Sequence, residues 1–470
     1  MMIKPETEYR MSDGLTPEQE ETWKSLQESP YGYLLHFWDG LDKAQRSNLL
    51  DQIATLNFER IARLHSAHET ADTGRNVAKK ASAPTTLIPA DFRESDPQRF
   101  QQAEAIGCQA LQQGKVGVML VAGGEGTRLG FPHPKGKFPI GPVSNKSLYQ
   151  LLAEQVVALQ LRSQAIIPYY VMTSHATHDE TALFFEEHKW FGLNQRDVYF
   201  FRQGQMPAVD KRTGRVLLAA RDSVVFSPDG HGGLLEAMQN AKLFDDLRQR
   251  KIELLFYHQV DNPLVRVCDP AFIGFHLLNK AEVSTKVVVK ENPAEKVGLL
   301  VEVDARHHMI EYVDLPEELA AQRDSAGKLR LRCGNIAVHL FGTEFLERIT
   351  KENDGLPFHR SSKSVPHVNE SGEAVHPKET NAYKFERFIF DILPFAKNPV
   401  AMEVIREHEF VPLKNRDGEF SPDHVRSAMR RLHTGWLKQA GMTNEDELPV
   451  EIAASIALDQ AEFQARFQQS

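Results

Sequence analysis

The segment that most constrains the fold is an apolar run, Val116–Val121, that passes directly into Ala122-Gly-Gly-Glu-Gly-Thr-Arg-Leu-Gly130 and then Phe131-Pro-His-Pro-Lys-Gly136. A short run of this kind reads as a buried strand, and the glycines after it let the chain turn sharply. Glycines also let backbone N–H groups approach phosphate oxygens without side-chain interference. Arg128 and Lys135 add fixed positive charge beside those amides. As a Walker A loop the segment fails, because no Gly-Lys-Ser/Thr follows at the required spacing. As a dinucleotide-binding turn it half fits. Gly124-x-Gly126-x-x-x-Gly130 approximates the fingerprint, but that turn opens straight into a helix, whereas here a proline-containing stretch, 131–146, precedes Ser147.

The flanking sequence sets this loop in an α/β context. Ile166–Met172, Val198–Phe201 and Ile252–Val260 read as further strands, with Ser147–Leu161, Gly232–Arg248 and Pro270–Lys280 as helices between them. Such alternation implies βαβ units and a mostly parallel sheet, with ligands at the carboxyl ends of the strands. Val297–Val303, Met309–Val313 and Leu331–Val338 come without helices between them and predict an antiparallel addition. Ahead of this region, Thr16-Pro17 with Gln19 forms a capping box, and Leu34, Leu35, Trp38, Leu41, Leu49, Leu50, Ile53 and Leu56 make an amphipathic helical stripe. Residues 70–96 read as a linker, ending in a second cap, Asp96-Pro97. Toward the C-terminus, Val404–Phe410 is strand-like and Val425–Lys438 helical.

Charge and cysteine content exclude some classes of function. The 470 residues hold 55 Lys plus Arg against 64 Asp plus Glu, a formal net charge of −9. That balance argues against a nucleic-acid or anionic-membrane binder. Cys108, Cys268 and Cys333 are scattered, so disulfide scaffolds and structural zinc sites are not expected, and a reducing cytoplasm fits best. No apolar run reaches membrane-spanning length, and the start, MMIKPETEYR, lacks the apolar core of a signal peptide.

The loop and its Pro-Lys-Gly resemble the sugar-nucleotide pyrophosphorylases, and more narrowly the eukaryotic-type UDP-N-acetylhexosamine pyrophosphorylases of the UDP-sugar pyrophosphorylase family. The resemblance runs from about residue 31 to 440. It takes in Leu34-Leu-His-Phe-Trp-Asp-Gly-Leu41, Asn57-Phe-Glu59, Tyr169-Tyr-Val-Met-Thr-Ser174, Phe200-Phe-Arg-Gln-Gly204 and Ser227-Pro-Asp-Gly-His-Gly-Gly233. It continues through Val260-Asp-Asn-Pro-Leu-Val265, Asp269-Pro-Ala-Phe-Ile-Gly-Phe275, Cys333-Gly-Asn-Ile-Ala337, Phe388-Ile-Phe-Asp391 and Glu409-Phe-Val-Pro-Leu-Lys-Asn415. The fold this implies is α/β, a central doubly wound mixed sheet of the GT-A-like nucleotide-diphospho-sugar transferase type. A helical N-terminal region (1–100) would precede the catalytic domain (101–395), and a small C-terminal α+β domain (396–470) would follow.

The resemblance implies uridylyl transfer: a sugar 1-phosphate oxygen attacks the α-phosphorus of UTP and pyrophosphate departs. Its partners would be UTP and a hexose 1-phosphate, N-acetylglucosamine 1-phosphate first, with no nucleic acid or membrane and a monomeric or weakly homo-oligomeric chain. Carried over position by position, the backbone of Val121, Ala122, Gly123 and Gly124, with Gly126 and Thr127, would cradle the nucleotide. Arg128, Lys135 and Lys414 would act on the phosphates. Gln203 would read the uracil edge, with Gly230 at the base or ribose. Asp261, where the run Ile252–Val260 meets solvent, would hold Mg²⁺, or Mn²⁺ in its place. Gly298, Glu311, Asn335, Phe388 and Phe390 would form the sugar pocket. His231 departs from the pattern: the N-acetylhexosamine enzymes typically carry Asn there, and the glucose and broad-specificity enzymes carry His in a related Gly-His-Gly. That leaves glucose or galactose 1-phosphate open as the acceptor, and a catalytically silent UDP-sugar-binding homologue as the alternative from another class.

Overall fold

The computed structural model describes residues 14–67, 72–352, 355–442 and 448–467. The leading decapeptide MMIKPETEYR lies outside them. The chain forms two compact units. One gathers Met1–Thr70, Gly204–Gly233 and Leu356–Phe388; the other gathers Ala71–Gln203, Leu234–Gly355 and Ile389–Ser470. The expected regions 1–100, 101–395 and 396–470 are consecutive, whereas these units interleave along the chain. The cause lies in the first unit's core, which the N-terminal helices cannot complete by themselves.

In that unit the helix Pro17–Gln27 starts at the expected capping box, with Thr16 and Gln19 satisfying each other's backbone N–H groups. The helix Lys43–Ala54 repeats the device with Asp42 and Gln45. Trp23, Leu26, Leu49, Leu50 and Ile53 on these helices, with Leu34, Leu35 and Trp38 from the 3₁₀ turns Gly32–Leu35 and Trp38–Gly40 between them, are buried together with Met206, Val209, Val216, Leu218, Val224 and Phe385 from far downstream. Phe358–Lys363 and Ala382–Arg387 pair antiparallel, and Val209–Asp210 adds to the same small sheet.

The second unit is built on a ten-stranded mixed sheet. Its strands are β1 (Leu87–Ile88), β2 (Val116–Val121), β3 (Tyr169–Thr173), β4 (Val198–Arg202), β5 (Leu254–Gln259), β6 (Val283–Val289), β7 (Leu299–Val303), β8 (Arg306–Ile310), β9 (Cys333–Gly342) and β10 (Val400–Glu403). Their order is β1-β10-β6-β9-β5-β2-β3-β4, with β7 pairing β8 and β9. β5, β2, β3 and β4 run parallel, and β9 is antiparallel to both β5 and β6. The doubly wound mixed sheet expected from sequence is present. β2 is buried along almost all its length, as a strand covered on both faces must be. The helices Leu148–Ser163, His178–Glu187 and Pro270–Leu278 connect β2 to β3, β3 to β4 and β5 to β6. The last of these packs against Pro97–Gln112 so closely that a Cβ on Gly274 would lie 1.7 Å from the Ala103 carbonyl oxygen.

Several local expectations are corrected. The linker 70–96 contains the helix Asp72–Lys80 and β1. The helix expected over 232–248 breaks into Leu234–Asn240 and Leu243–Arg250, because Lys242 takes a left-handed conformation with φ 55°. The strand expected at 309–313 falls at Arg306–Ile310, because Asp304 and Ala305, both at positive φ, close a two-residue hairpin between β7 and β8. Val404–Phe410 is not a strand. Pairing with β6 ends at Glu403, and the polar stretch Arg406–Glu409 forms one helical turn.

The topology fixes where a ligand can sit. From β2 the chain winds outward through β3 and β4 on one side, while β5 joins β2 on the other. Val121 and Gln259, the last residues of β2 and β5, are direct register partners. This is a topological switch point, where the loops leaving two parallel strands separate and open a crevice at their carboxyl ends.

Candidate functional site

At the switch point the glycine loop leaves β2 and folds back on itself. Ala122 N donates to Met172 O at 2.7 Å, Gly126 N to His133 O at 2.9 Å, and Lys135 N to Gly124 O at 3.0 Å. The Pro-Lys-Gly segment is thereby laced to the glycine turn, bringing Lys135 back beside its start. Arg128 sits exposed on the 3₁₀ turn Thr127–Leu129. Gly123 cannot be another residue without rearrangement: a Cβ there would lie 2.5 Å from Gln203 Oε1 and 3.3 Å from Ser174 N. Gln203 itself is buried at the end of β4, with its backbone N donating to Thr173 O at 2.8 Å. Its amide and the glycine turn therefore lie in contact.

Asp261 stands two residues beyond β5. Its carboxylate lies 3.7 Å from Lys135 Nζ, with side-chain exposures of 14% and 19%. Its backbone carbonyl accepts from Leu413 N at 2.7 Å, so the exposed Lys414 is attached to the same point by its chain neighbour. Lys414 N in turn donates to Phe420 O at 2.9 Å. Lys135, Asp261 and the Lys414 backbone, drawn from three distant segments, are thus brought together beside β2. The Lys135 cation beside a rim of backbone amides suits an anionic ligand despite the chain's net acidity.

Gly298, Glu311 and Asn335 also meet within the second unit. Asn335 N donates to Gly298 O at 2.8 Å, and a Cβ on Gly298 would lie 3.4 Å from Glu311 Oε1. Asn335 Oδ1 accepts from Ala337 N at 3.0 Å. Phe390 is buried in the 3₁₀ segment Ile389–Phe395. Gly230, His231 and Phe388 belong to the first unit. Gly230 has φ 83°, and the ring of Phe388 lies 5.5 Å from that of His231 and 4.5 Å from that of His359. Desolvation, and then His359, push the pKa of His231 down to about 4, so this imidazole is neutral at ordinary pH.

Three groups of supporting residues have partners that no local sequence pattern reveals. Asp229 and Arg387, both buried, form an ion pair, and Arg387 N donates to Asp229 O at 2.7 Å, which anchors the Pro-Asp-Gly turn ahead of His231. Glu180, on the helix His178–Glu187, accepts from Lys137 Nζ at 2.6 Å and pairs with His133 Nδ1 at 2.7 Å, bracketing Lys135 on both sides. Burial works to raise its pKa, but Lys137 and His133 hold it below the usual carboxylate range. Asn262 hydrogen-bonds the segment that leads to Lys414. A cavity of about 370 Å³ elsewhere in the second unit, lined in part by Arg266, His433, Trp436 and Glu451, includes none of the candidate residues in its walls.

Residues 71–469 match the family model for UTP–glucose-1-phosphate uridylyltransferase. The chain is 38% identical to the human UDP-N-acetylhexosamine pyrophosphorylase-like protein 1, over 88% of this chain and 85% of that protein. It is 34% identical to the UDP-N-acetylglucosamine pyrophosphorylase of Saccharomyces cerevisiae, over 92% and 93% respectively. The structure superimposes on the uridine diphosphate N-acetylglucosamine pyrophosphorylase of Trypanosoma brucei with a TM-score of 0.83 at 26% identity, covering 97% of this chain and 96% of that one. A family model spanning most of the chain, and relatives matched along nearly their whole length, carry the same conclusion as the switch-point loop: the chain belongs to the UDPGP family of UTP–glucose-1-phosphate uridylyltransferases.

Proposed function

We propose that this protein is a uridylyltransferase that makes UDP-N-acetylglucosamine and pyrophosphate from UTP and N-acetylglucosamine 1-phosphate. The observation that carries the reading is the meeting of Lys135, Asp261 and the Lys414 segment beside the glycine loop. In the reaction a phosphate oxygen of the sugar 1-phosphate forms a bond to the α-phosphorus of UTP as the bond to the β-phosphate oxygen breaks, so pyrophosphate takes the electron pair. Two polyanions must approach, so positioning and charge neutralisation dominate and no covalent enzyme intermediate is needed. Backbone amides of Val121–Gly124 cradle the nucleotide, and Gln203 offers an amide that can both donate to and accept from uracil. Arg128 and Lys135 hold the departing phosphates, and Lys414 neutralises charge at the reacting phosphorus. Gly298, Glu311 and Asn335 take the sugar, with Glu311 accepting from its hydroxyls. Phe390, in the same unit, walls the sugar pocket.

The donor set at Asp261 suits Mg²⁺, with Mn²⁺ as a substitute. Among the described residues no three His, Cys, Asp or Glu side chains are grouped to cage a metal. Mg²⁺ ordinarily binds one or two carboxylates and takes its remaining ligands from phosphates and water, and Asp261 is a carboxylate at this rim. Held by Asp261, the ion would offset negative charge on the phosphates. Among the described residues no helix is long and apolar enough to cross a membrane. Cytoplasmic residence and a monomeric or weakly self-associating state belong to the same proposal.

The choice of N-acetylglucosamine rests on relatives at 32–38% identity that are named for N-acetylated sugars. His231 is the feature that points the other way. The purified protein with UTP, Mg²⁺ and each of N-acetylglucosamine, glucose and galactose 1-phosphate decides by rate of pyrophosphate release. We expect the N-acetylated substrate to be fastest. Far faster turnover of the glucose compound refutes the sugar assignment, and no release with any of the three refutes uridylyl transfer.

A further inference from the structure

Asn262 follows Asp261 in the chain and is 4% exposed. Its Nδ2 donates to Glu409 O at 2.7 Å, and its Oδ1 accepts from Val411 N at 3.1 Å and from Leu264 N at 3.3 Å. One amide therefore bridges two backbone groups of a segment some 150 residues away, using its donor and its acceptor at once. The Asp261 carbonyl adds the bond from Leu413 N at 2.7 Å. Segment 409–413 is thus fastened residue by alternate residue to the end of β5, and Lys414 is the first residue past the last fastening. The far end is locked as well. Glu409 accepts from the fully buried Lys286 Nζ at 2.6 Å, and Lys286 also donates to Asp269 at 2.8 Å.

A buried amide with both functions matched to backbone is a geometric device, because neither a carboxylate nor an aliphatic group of the same size can make both bonds. The free energy of two hydrogen bonds could have been obtained anywhere in the core. Here they are made between the residue adjoining Asp261 and the strand of chain adjoining Lys414.

We propose that Asn262 is a positioning residue for uridylyl transfer, holding the Lys414 segment in register with Asp261 and Lys135. The proposal rests on the reading of Lys414 as a phosphate-binding group. Asn262 touches no substrate; it sets where Lys414 can reach.

The test is a double-mutant cycle on the full chain, with kcat and the KM for UTP read for Asn262→Ala, Lys414→Ala and the combination. Lys414→Ala should lower kcat about 100-fold, as loss of one charge-stabilising donor does. Asn262→Ala should lower kcat at least 10-fold while changing the KM for UTP less than about 3-fold. The two defects should not multiply: the double variant should be no more than about 2-fold slower than Lys414→Ala alone, because once Lys414 is gone its placement no longer matters. A wild-type kcat in Asn262→Ala, or defects that multiply, overturns the proposal while leaving Lys414's role intact. Full activity in Lys414→Ala overturns the reading of Lys414 and the proposal with it. If Asn262→Ala does not fold, Asn262→Ser, whose hydroxyl retains part of the pairing, is carried through the same cycle with the same criteria.

Discussion

Replacing Lys135 with alanine removes the cation that stands 3.7 Å from Asp261 at the switch point. At that separation two unit charges attract by about 4.5 kcal/mol at an effective dielectric constant near 20, before desolvation is subtracted. In the resting protein most of this is offset, because both side chains keep some contact with water, so unfolding free energy should fall by only about 1 kcal/mol. In the transition state of the proposed transfer the same cation would face charge that develops on the departing pyrophosphate, where a preorganised donor contributes about 2.7–4 kcal/mol. The expectation is therefore a loss of roughly 100- to 1000-fold in kcat/KM with a nearly unchanged melting temperature. Initial rates of pyrophosphate release at varied UTP, beside a thermal melt of the same preparation, measure both quantities. Activity within threefold of the parent would refute the role given to Lys135, and a collapsed melting temperature would make its contribution structural.

Buried histidines govern the response to acid. Burial pushes His258, His276, His307 and His433 down to about 4, against about 6.5 in an unfolded chain. Between those values the unfolded chain binds more protons than the native one, so the part of the stability these rings contribute is constant above about pH 7 and falls as pH drops from about 6.5 toward 4. Each such histidine contributes up to about 1.4 kcal/mol per pH unit in that window. Urea midpoints at pH 7.5, 6.0 and 5.0 should fall progressively, and equal midpoints would contradict the assignment of these rings as buried and neutral. Substituting Lys286 with methionine leaves Asp269 and Glu409 buried without their shared cation and should destabilise by about 3–5 kcal/mol. An unchanged urea midpoint would show that the two carboxylates find other partners.

Features decided by neighbours in the chain are legible in the sequence itself. Thr16 and Gln19 announce a helix start because both capping bonds close within three residues. The run before Gly123 announces β2 because a strand buried on both faces must be continuously apolar. Asp261 falls at a strand end by the same reasoning. The positions of Gln203, Glu311 and Lys414 are legible only through family resemblance, since an isolated Gln, Glu or Lys carries no local signal. Val404–Phe410 misleads because its apolar ends, Val404 and Phe410, flank a polar helical turn that pairs with no strand. Asn262 and Glu180 escape notice because their partners lie across the fold: Glu409 and Val411 for one, His133 and Lys137 for the other. Their chemistry exists only after the chain has folded.

The interleaving of the two units bears on how the chain is made. Trp23, Leu26, Leu35 and Trp38 leave the ribosome early, yet the core they belong to includes Phe385, which is fully buried. At about 5–20 residues per second, that partner follows roughly 20–70 s later. Met206, Val209, Val216, Leu218 and Val224 arrive partway through that interval, but Phe385 is still missing when most of the second unit's strands are already synthesised. The nascent chain thus presents a sticky hairpin of helices that must be shielded by chaperones or by transient self-contact. Heterologous expression should suffer most from slow or stalled translation between residues 234 and 356, the stretch separating the first unit's second and third segments.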